Sequence, residues 1–201
     1  MADPLVVDGE RQHPLGPLMP TERLLLRPLT AADAADVFQY ACNPRVARFT
    51  LWEPHDSPEE SLEFIQNYAF ANYEMVVPDP FGITLKGDGR VVGTVGCFWV
   101  SREHRCMELG YALDEPMWGQ GIATEAARGV LDYVFQHFEV ERVQARCKKE
   151  NVASARIMEK LGMRYEGTLR SAVFHQGRFW DIEYRGILRG DHREAPPLRA
   201  E

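Results

Sequence analysis

The segment 108–126, ELGYALDEPMWGQGIATEA, constrains this chain more than any other stretch. Its first residues read as the end of a strand. Gly119 and Gly121 then mark a tight turn, and Ala123, Ala127, Val130, Leu131 and Val134 recur at three- and four-residue intervals, which predicts a helix over 121–135. A strand that runs through glycines into a helix gathers unpaired backbone N–H groups at the positive end of the helix dipole. Glycine there lets a bulky anion come close to the backbone. The same pattern also serves as a plain turn. Two other phosphate-binding patterns do not fit: the Walker loop ends in Gly-Lys-Ser/Thr, and the dinucleotide fingerprint needs a third glycine where Thr124 stands.

The flanking sequence supplies a sheet for this unit. A strand is predicted over 23–27, then a helix capped by Thr30 that runs to about Ala41. Ser57 and Glu60 have capping-box spacing around Pro58, and Leu62, Ile65 and Ala69 follow as an apolar stripe. Strands over 81–85, 90–100 and 105–113 form an antiparallel meander with a turn at Gly87, Asp88 and Gly89. A strand over 143–147, a helix over 152–161 stopped by Gly162, and two strands flanking Gln176 and Gly177 complete a mixed α/β order. One domain over 21–189 is expected. Before it, residues 1–20, with Pro4, Pro14, Gly16, Pro17 and Pro20, read as an extended arm; after it, residues 190–201 read as a flexible tail.

A formal charge of -7 opposes nonspecific attraction to nucleic acid, and the short cluster Arg146, Lys148, Lys149 reads as a solvated strand end. Cys42, Cys97, Cys106 and Cys147 are widely spaced with no metal-type pairing, so reduced cysteines, a cytoplasmic setting and no metal are expected. No apolar run approaches the roughly 20 residues needed to span a bilayer.

Trp118-Gly119-Gln120-Gly121-Ile122-Ala123 resembles motif A of the GNAT superfamily of N-acetyltransferases, written Arg/Gln-x-x-Gly-x-Gly/Ala, with Trp118 in the Arg/Gln position. That departure, together with Asn151-Val152-Ala153-Ser154 and Leu161-Gly162-Met163, is similar to the branch containing the ribosomal-protein acetyltransferases RimJ and RimL. The resemblance runs from about Thr21 to Leu188. It implies an α+β fold with a mostly antiparallel, twisted sheet of about seven strands, splayed in the middle, and helices on both faces. It also implies acetyl-coenzyme A as co-substrate, its pantetheine arm in the wedge beside Leu113 and Asp114. The diphosphate then lies on Gly119, Gln120, Gly121, Ile122, Ala123 and Thr124, with Asn151 and Ser154 close by.

Transfer to an amine requires a neutral nitrogen, whereas a free lysine amine has a pKa of about 10.4 and an α-amine about 8. The resemblance makes Glu108 the expected general base, with His104 and His175 as alternatives that sequence alone reads as solvated turn residues. Ser154 is the expected proton donor to the departing sulfur; its other reading is a hydrogen bond within the first helical turn. The tyrosine that many members carry four residues later is Met158 here. Trp52 and Glu53, with Phe49 nearby, are expected to meet the acceptor, against core packing for the two aromatics. A route through an acetylated Cys106 or Cys147 competes with direct attack, although buried strand cysteines are usually inert. The branch implies a protein N-terminal α-amine, such as that of a ribosomal protein, as acceptor. A polyamine or aminoglycoside, or a non-catalytic acyl-coenzyme A sensor, are the alternatives, and a homodimer fits such domains.

Overall fold

The computed structural model describes residues 16–194 and, ahead of them, two short strands, β1 (Val6–Val7) and β2 (Glu10–His13). With β3 (Gly16–Pro17) these form a small antiparallel sheet, so the described part of the expected arm is paired strand; residues 1–5, 8–9 and 14–15 lie outside the described residues. At the other end, the start of the expected tail is helical, as α7 (Arg189–Glu194), and residues 195–201 again lie outside.

The main sheet has eight strands, one more than expected because the two-residue β4 (Met19–Pro20) joins its edge. Its order is β10 (Arg164–His175), β11 (Arg178–Leu188), β9 (Arg142–Lys148), β8 (Cys106–Leu113), β7 (Val91–Ser101), β6 (Phe81–Leu85), β5 (Leu24–Pro28), β4. Every neighbouring pair is antiparallel except β8 and β9.

Side-chain alternation along the strands feeds two cores. Val92 on β7 and Leu109 and Leu113 on β8 point to α5 (Ile122–His137) and α6 (Val152–Lys160), where Ala126, Ala127, Val130, Leu131, Val134 and Met158 are fully buried. Each Val or Leu so removed from water contributes about 1.5–3 kcal/mol. Val91 and Ala112 point the other way, to a core built from α1 (Ala34–Ala41), α2 (Pro44–Ala47) and the helical stretch that runs from α3 (Pro58–Glu63) through π-helical turns (Phe64–Ala69) into α4 (Phe70–Glu74).

The expected caps are in place with local adjustments. Asp33 accepts from the Thr30 backbone N–H at 2.7 Å, but the first turn is a 3-10 turn (Ala31–Asp33) before α1. Ser57 caps α3 by accepting from Glu60 N–H at 3.4 Å, while the Glu60 carboxylate reaches one residue further back, to Asp56 N–H at 2.8 Å.

Candidate active site

Strands β8 and β9 pair only over Cys106↔Arg142, Met107↔Val143 and Glu108↔Gln144. Beyond that, β8 stays with β7 as far as Leu113↔Gly93, and β9 stays with β11 as far as Lys148↔Ile182. Each strand follows its other neighbour, so a V-shaped gap opens between them. Asp114 N–H donates to Val92 O on β7 at 2.8 Å; alternation therefore turns the N–H groups of Leu113 and Tyr111 toward the gap. Leu113 lines the gap, with its carbonyl taken by Trp118 Nε1 at 2.8 Å. Asp114 does not: it is 5% exposed and its carboxylate faces Gln39 and Arg90 on the other side of the strand.

From the mouth of the gap the chain passes through a 3-10 turn (Glu115–Met117) to Gly119 and Gly121, both at φ +75°. Gly121 is the N-cap residue of α5, in the left-handed region that favours glycine, and no side chain caps the helix. A Cβ on Gly119 would meet nothing within 4 Å. Ile122, Ala123 and Thr124 bury their side chains in the core. What the turn presents outward is therefore a row of backbone N–H groups at the dipole's positive end, which fits a diphosphate. Sequence reasoning missed the brace beneath it. Arg23 donates to Gln120 O at 3.0 Å and to Glu125 Oε2 at 2.6 Å, placing a half-exposed guanidinium beside a turn whose motif position holds Trp118 instead of Arg. Burial raises the Glu125 pKa, but hydrogen bonds from Thr21 and Arg23 outweigh it and hold the carboxyl below its usual range.

On the α5–α6 face of the gap, the Ser154 hydroxyl meets the Tyr111 hydroxyl at 2.8 Å, while Asn151 Oδ1 accepts from Ser154 N–H at 3.1 Å. The N-cap work of the turn falls to Asn151, and the Ser154 hydroxyl is engaged across the gap instead of within its own helix. Tyr111 was not singled out from the sequence; its position two residues before Leu113, on the face opposite Glu108, was the available signal. Met158 is fully buried. Burial pushes the Cys147 thiol up to about 11 and raises Cys106 as well, so both stay protonated near neutrality and are poor nucleophiles.

The opposite face carries Glu108, Gly110 and Ala112. Glu108 is 6% exposed, held by Gln144 Nε2 at 2.8 Å and Arg146 Nε at 2.8 Å. Of the basic cluster, Arg146 and Lys149 are exposed as a strand end would be, with Arg146 ion-paired to Glu108, whereas Lys148 is 1% exposed, donating to Arg48 O at 2.7 Å and lying 3.0 Å from His175 Nδ1. His175 is likewise buried, not solvated, because the β10–β11 hairpin folds it onto Lys148, whereas His104 is exposed. Glu53 is exposed and bonds Gln176 at 3.2 Å, near His175, at the rim of this face. Trp52 packs against the second core and His55, and Phe49 lies under Arg48.

A family profile described as "Acetyltransferase (GNAT) domain" matches residues 23–164. The chain belongs to this family. Among relatives, the uncharacterized N-acetyltransferase YoaA of Bacillus subtilis is 31% identical over 86% of this chain and 97% of its own. The spermidine N(1)-acetyltransferase of Escherichia coli K12 is 27% identical over 82% of each chain. The solved structure of RimL, a ribosomal L7/L12 alpha-N-protein acetyltransferase, in complex with coenzyme A superposes with a TM-score of 0.77 at 19% identity, covering 85% of this chain and 97% of that one; this likeness is one of fold. The protein is a GNAT acyl-coenzyme A-dependent N-acetyltransferase, and GNAT enzymes use acetyl-coenzyme A. Among the described residues there is no metal-binding cluster of His, Cys, Asp and Glu, and no helix is long and apolar enough to cross a membrane.

Proposed function

We propose that this GNAT enzyme acetylates the α-amino group of a peptide or protein, by direct attack on acetyl-coenzyme A held in the gap between β8 and β9. The observation that carries this reading is the end of β8–β9 pairing at Glu108↔Gln144 beside an uncapped, glycine-opened helix. An extended pantetheine chain bonds the free N–H groups of Tyr111 and Leu113 as a missing strand would. The diphosphate rests on the backbone of Gly119, Gln120, Gly121, Ile122, Ala123 and Thr124 with Arg23 alongside, and Asn151 shapes the far wall.

The amine arrives from the face of Glu108 and Gly110. Its nitrogen attacks the thioester carbon, a strand N–H steadies the oxyanion, and Ser154, polarised by Tyr111, gives the departing sulfur its proton. Glu108, ion-paired with Arg146, faces the incoming amine, and Glu53 and Trp52 form the outer rim. A polyamine asks for several unpaired carboxylates. Here Glu108 is already paired with Arg146, and Arg146 and Lys148 share its face, so an acceptor with one amine and peptide carbonyls fits better.

The test is thiol release from acetyl-coenzyme A with pooled peptides, polyamines and aminoglycosides as separate acceptors. Turnover with peptides alone supports the reading. Turnover with spermidine alone replaces its acceptor, and failure of coenzyme A to bind in calorimetry removes its basis.

A further inference from the structure

A carboxylate outside every motif sits beside the reacting centre. Gly96 on β7 lies directly across from Gly110 on β8, on the face by which the amine arrives. Over Gly110 there is open space, since a Cβ there would meet nothing within 4 Å. Over Gly96 there is Asp79: a Cβ would fall 2.2 Å from Asp79 Oδ1 and 2.6 Å from its Cα. Cross-strand partners hold their Cβ positions only about 5 Å apart, so the Asp79 carboxylate forms one wall of the hollow over Gly110 whose far side is the β8–β9 gap. The segment is fixed there by Cys97 N–H donating to Pro78 O at 2.8 Å.

Asp79 is 7% exposed, accepts a hydrogen bond from the Tyr68 hydroxyl, and among the described residues has no lysine or arginine partner. Glu108, by contrast, has both carboxylate oxygens engaged, by Arg146 and by Gln144.

We propose that Asp79 is the general base of the acetyl transfer, taking the proton of the amine nitrogen in the hollow over Gly110. The inference rests on the acetyl-transfer reading above and replaces Glu108 in that one role. As the C–N bond forms and the thioester C–S bond breaks, the nitrogen's proton passes to an Asp79 oxygen and on to solvent, and the sulfur leaves as thiolate and takes a proton from Ser154, whose hydroxyl regains one from solvent. Burial lifts the Asp79 pKa to about 6, a value suited to accepting a proton near neutral pH. The other titratable groups around it are Tyr68 and Tyr73 from the helical layer, Cys97 on β7 and Glu108 on β8.

The test uses the full chain with an acceptor peptide. Asp79→Asn is expected to lower kcat by about 10²-fold or more and to abolish the acid limb of the kcat/KM–pH profile near 6, with coenzyme A affinity unchanged by calorimetry. Tyr68→Phe, at a half-exposed position that tolerates change, keeps the fold and removes the hydrogen bond to the carboxylate, so it is expected to move that limb to higher pH. Asp79→Asn within twofold of the parent, or an acid limb unmoved in Tyr68→Phe and lost in Glu108→Gln, overturns the proposal and returns the role to Glu108. A parent enzyme that binds coenzyme A yet acetylates no amine fails the wider reading instead, which keeps the two failures apart.

Discussion

The Tyr111 hydroxyl lies 2.8 Å from the Ser154 hydroxyl and 3.2 Å from its carbonyl oxygen, and the roles of the two side chains are separable by experiment. If the tyrosine hydroxyl acts by turning the serine proton toward the gap, Ser154→Ala lowers kcat by about 10²-fold and Tyr111→Phe by less. The double variant should then match Ser154→Ala alone, because the second change removes nothing further. Additive losses in steady-state kinetics would show two independent effects. Gly96 is a harder constraint. Its missing side chain is the space Asp79 occupies, down to the backbone, so Gly96→Ala must push residues 77–80 off the sheet. The expected outcome is a lower Tm and loss of activity together, read by thermal unfolding and thiol release. Asp79 could not be picked from the sequence, because it acquires its meaning from Gly96 on the next strand but one, and Tyr111 was marked only by its place two residues before Leu113, its partner Ser154 lying 43 residues on.

The elements divide the work more cleanly. The turn into α5 is braced from β5's approach by Arg23, whose guanidinium spans Gln120 O and Glu125. Arg23→Ala should weaken coenzyme A binding about tenfold, the worth of one charge-assisted contact, while kcat at saturation holds; calorimetry and saturation kinetics separate these. This stretch was legible in advance. Strand, glycines and helix are all local signals, and the observed boundaries of β6, β8, α5 and α6 fall within a residue or two of the expected ones. What local signals could not supply was burial of long-range partners. Lys148 and His175 look like surface residues in sequence, and only the pairing of β9 with β11 and the fold of the final hairpin enclose them. The expected use of Asp114 failed for a related reason: its N–H is committed to β7, a register choice that no short motif encodes.

For the molecule as a whole, carboxylates set opposing pH dependences. Hydrogen bonds from Arg142 hold Glu166 below its usual range, and Asp33 is likewise low because Arg27 and Thr30 outweigh its burial; with Glu125, these groups stabilise the fold above about pH 4, and that stability is lost as pH falls through their lowered values. Asp79 runs the other way. The fold binds its proton more tightly than the unfolded chain does, so stability declines as pH rises from about 4 to 6, by an amount on the order of 3 kcal/mol. Asp79→Asn should therefore flatten urea-unfolding stability between those pH values and leave the protein more stable at pH 7 while less active, the familiar exchange of stability for function. The gap itself has a further meaning. Its apex is fastened twice, by the last β8–β9 backbone pair and by Gln144 donating to Glu108 at 2.8 Å. A slot with a fastened end has a set depth, so in the binding mode proposed above it would act on the donor like a gauge: an acetyl group would come to rest beside the hollow over Gly110, and each extra methylene would have to find room in the space the incoming nitrogen needs.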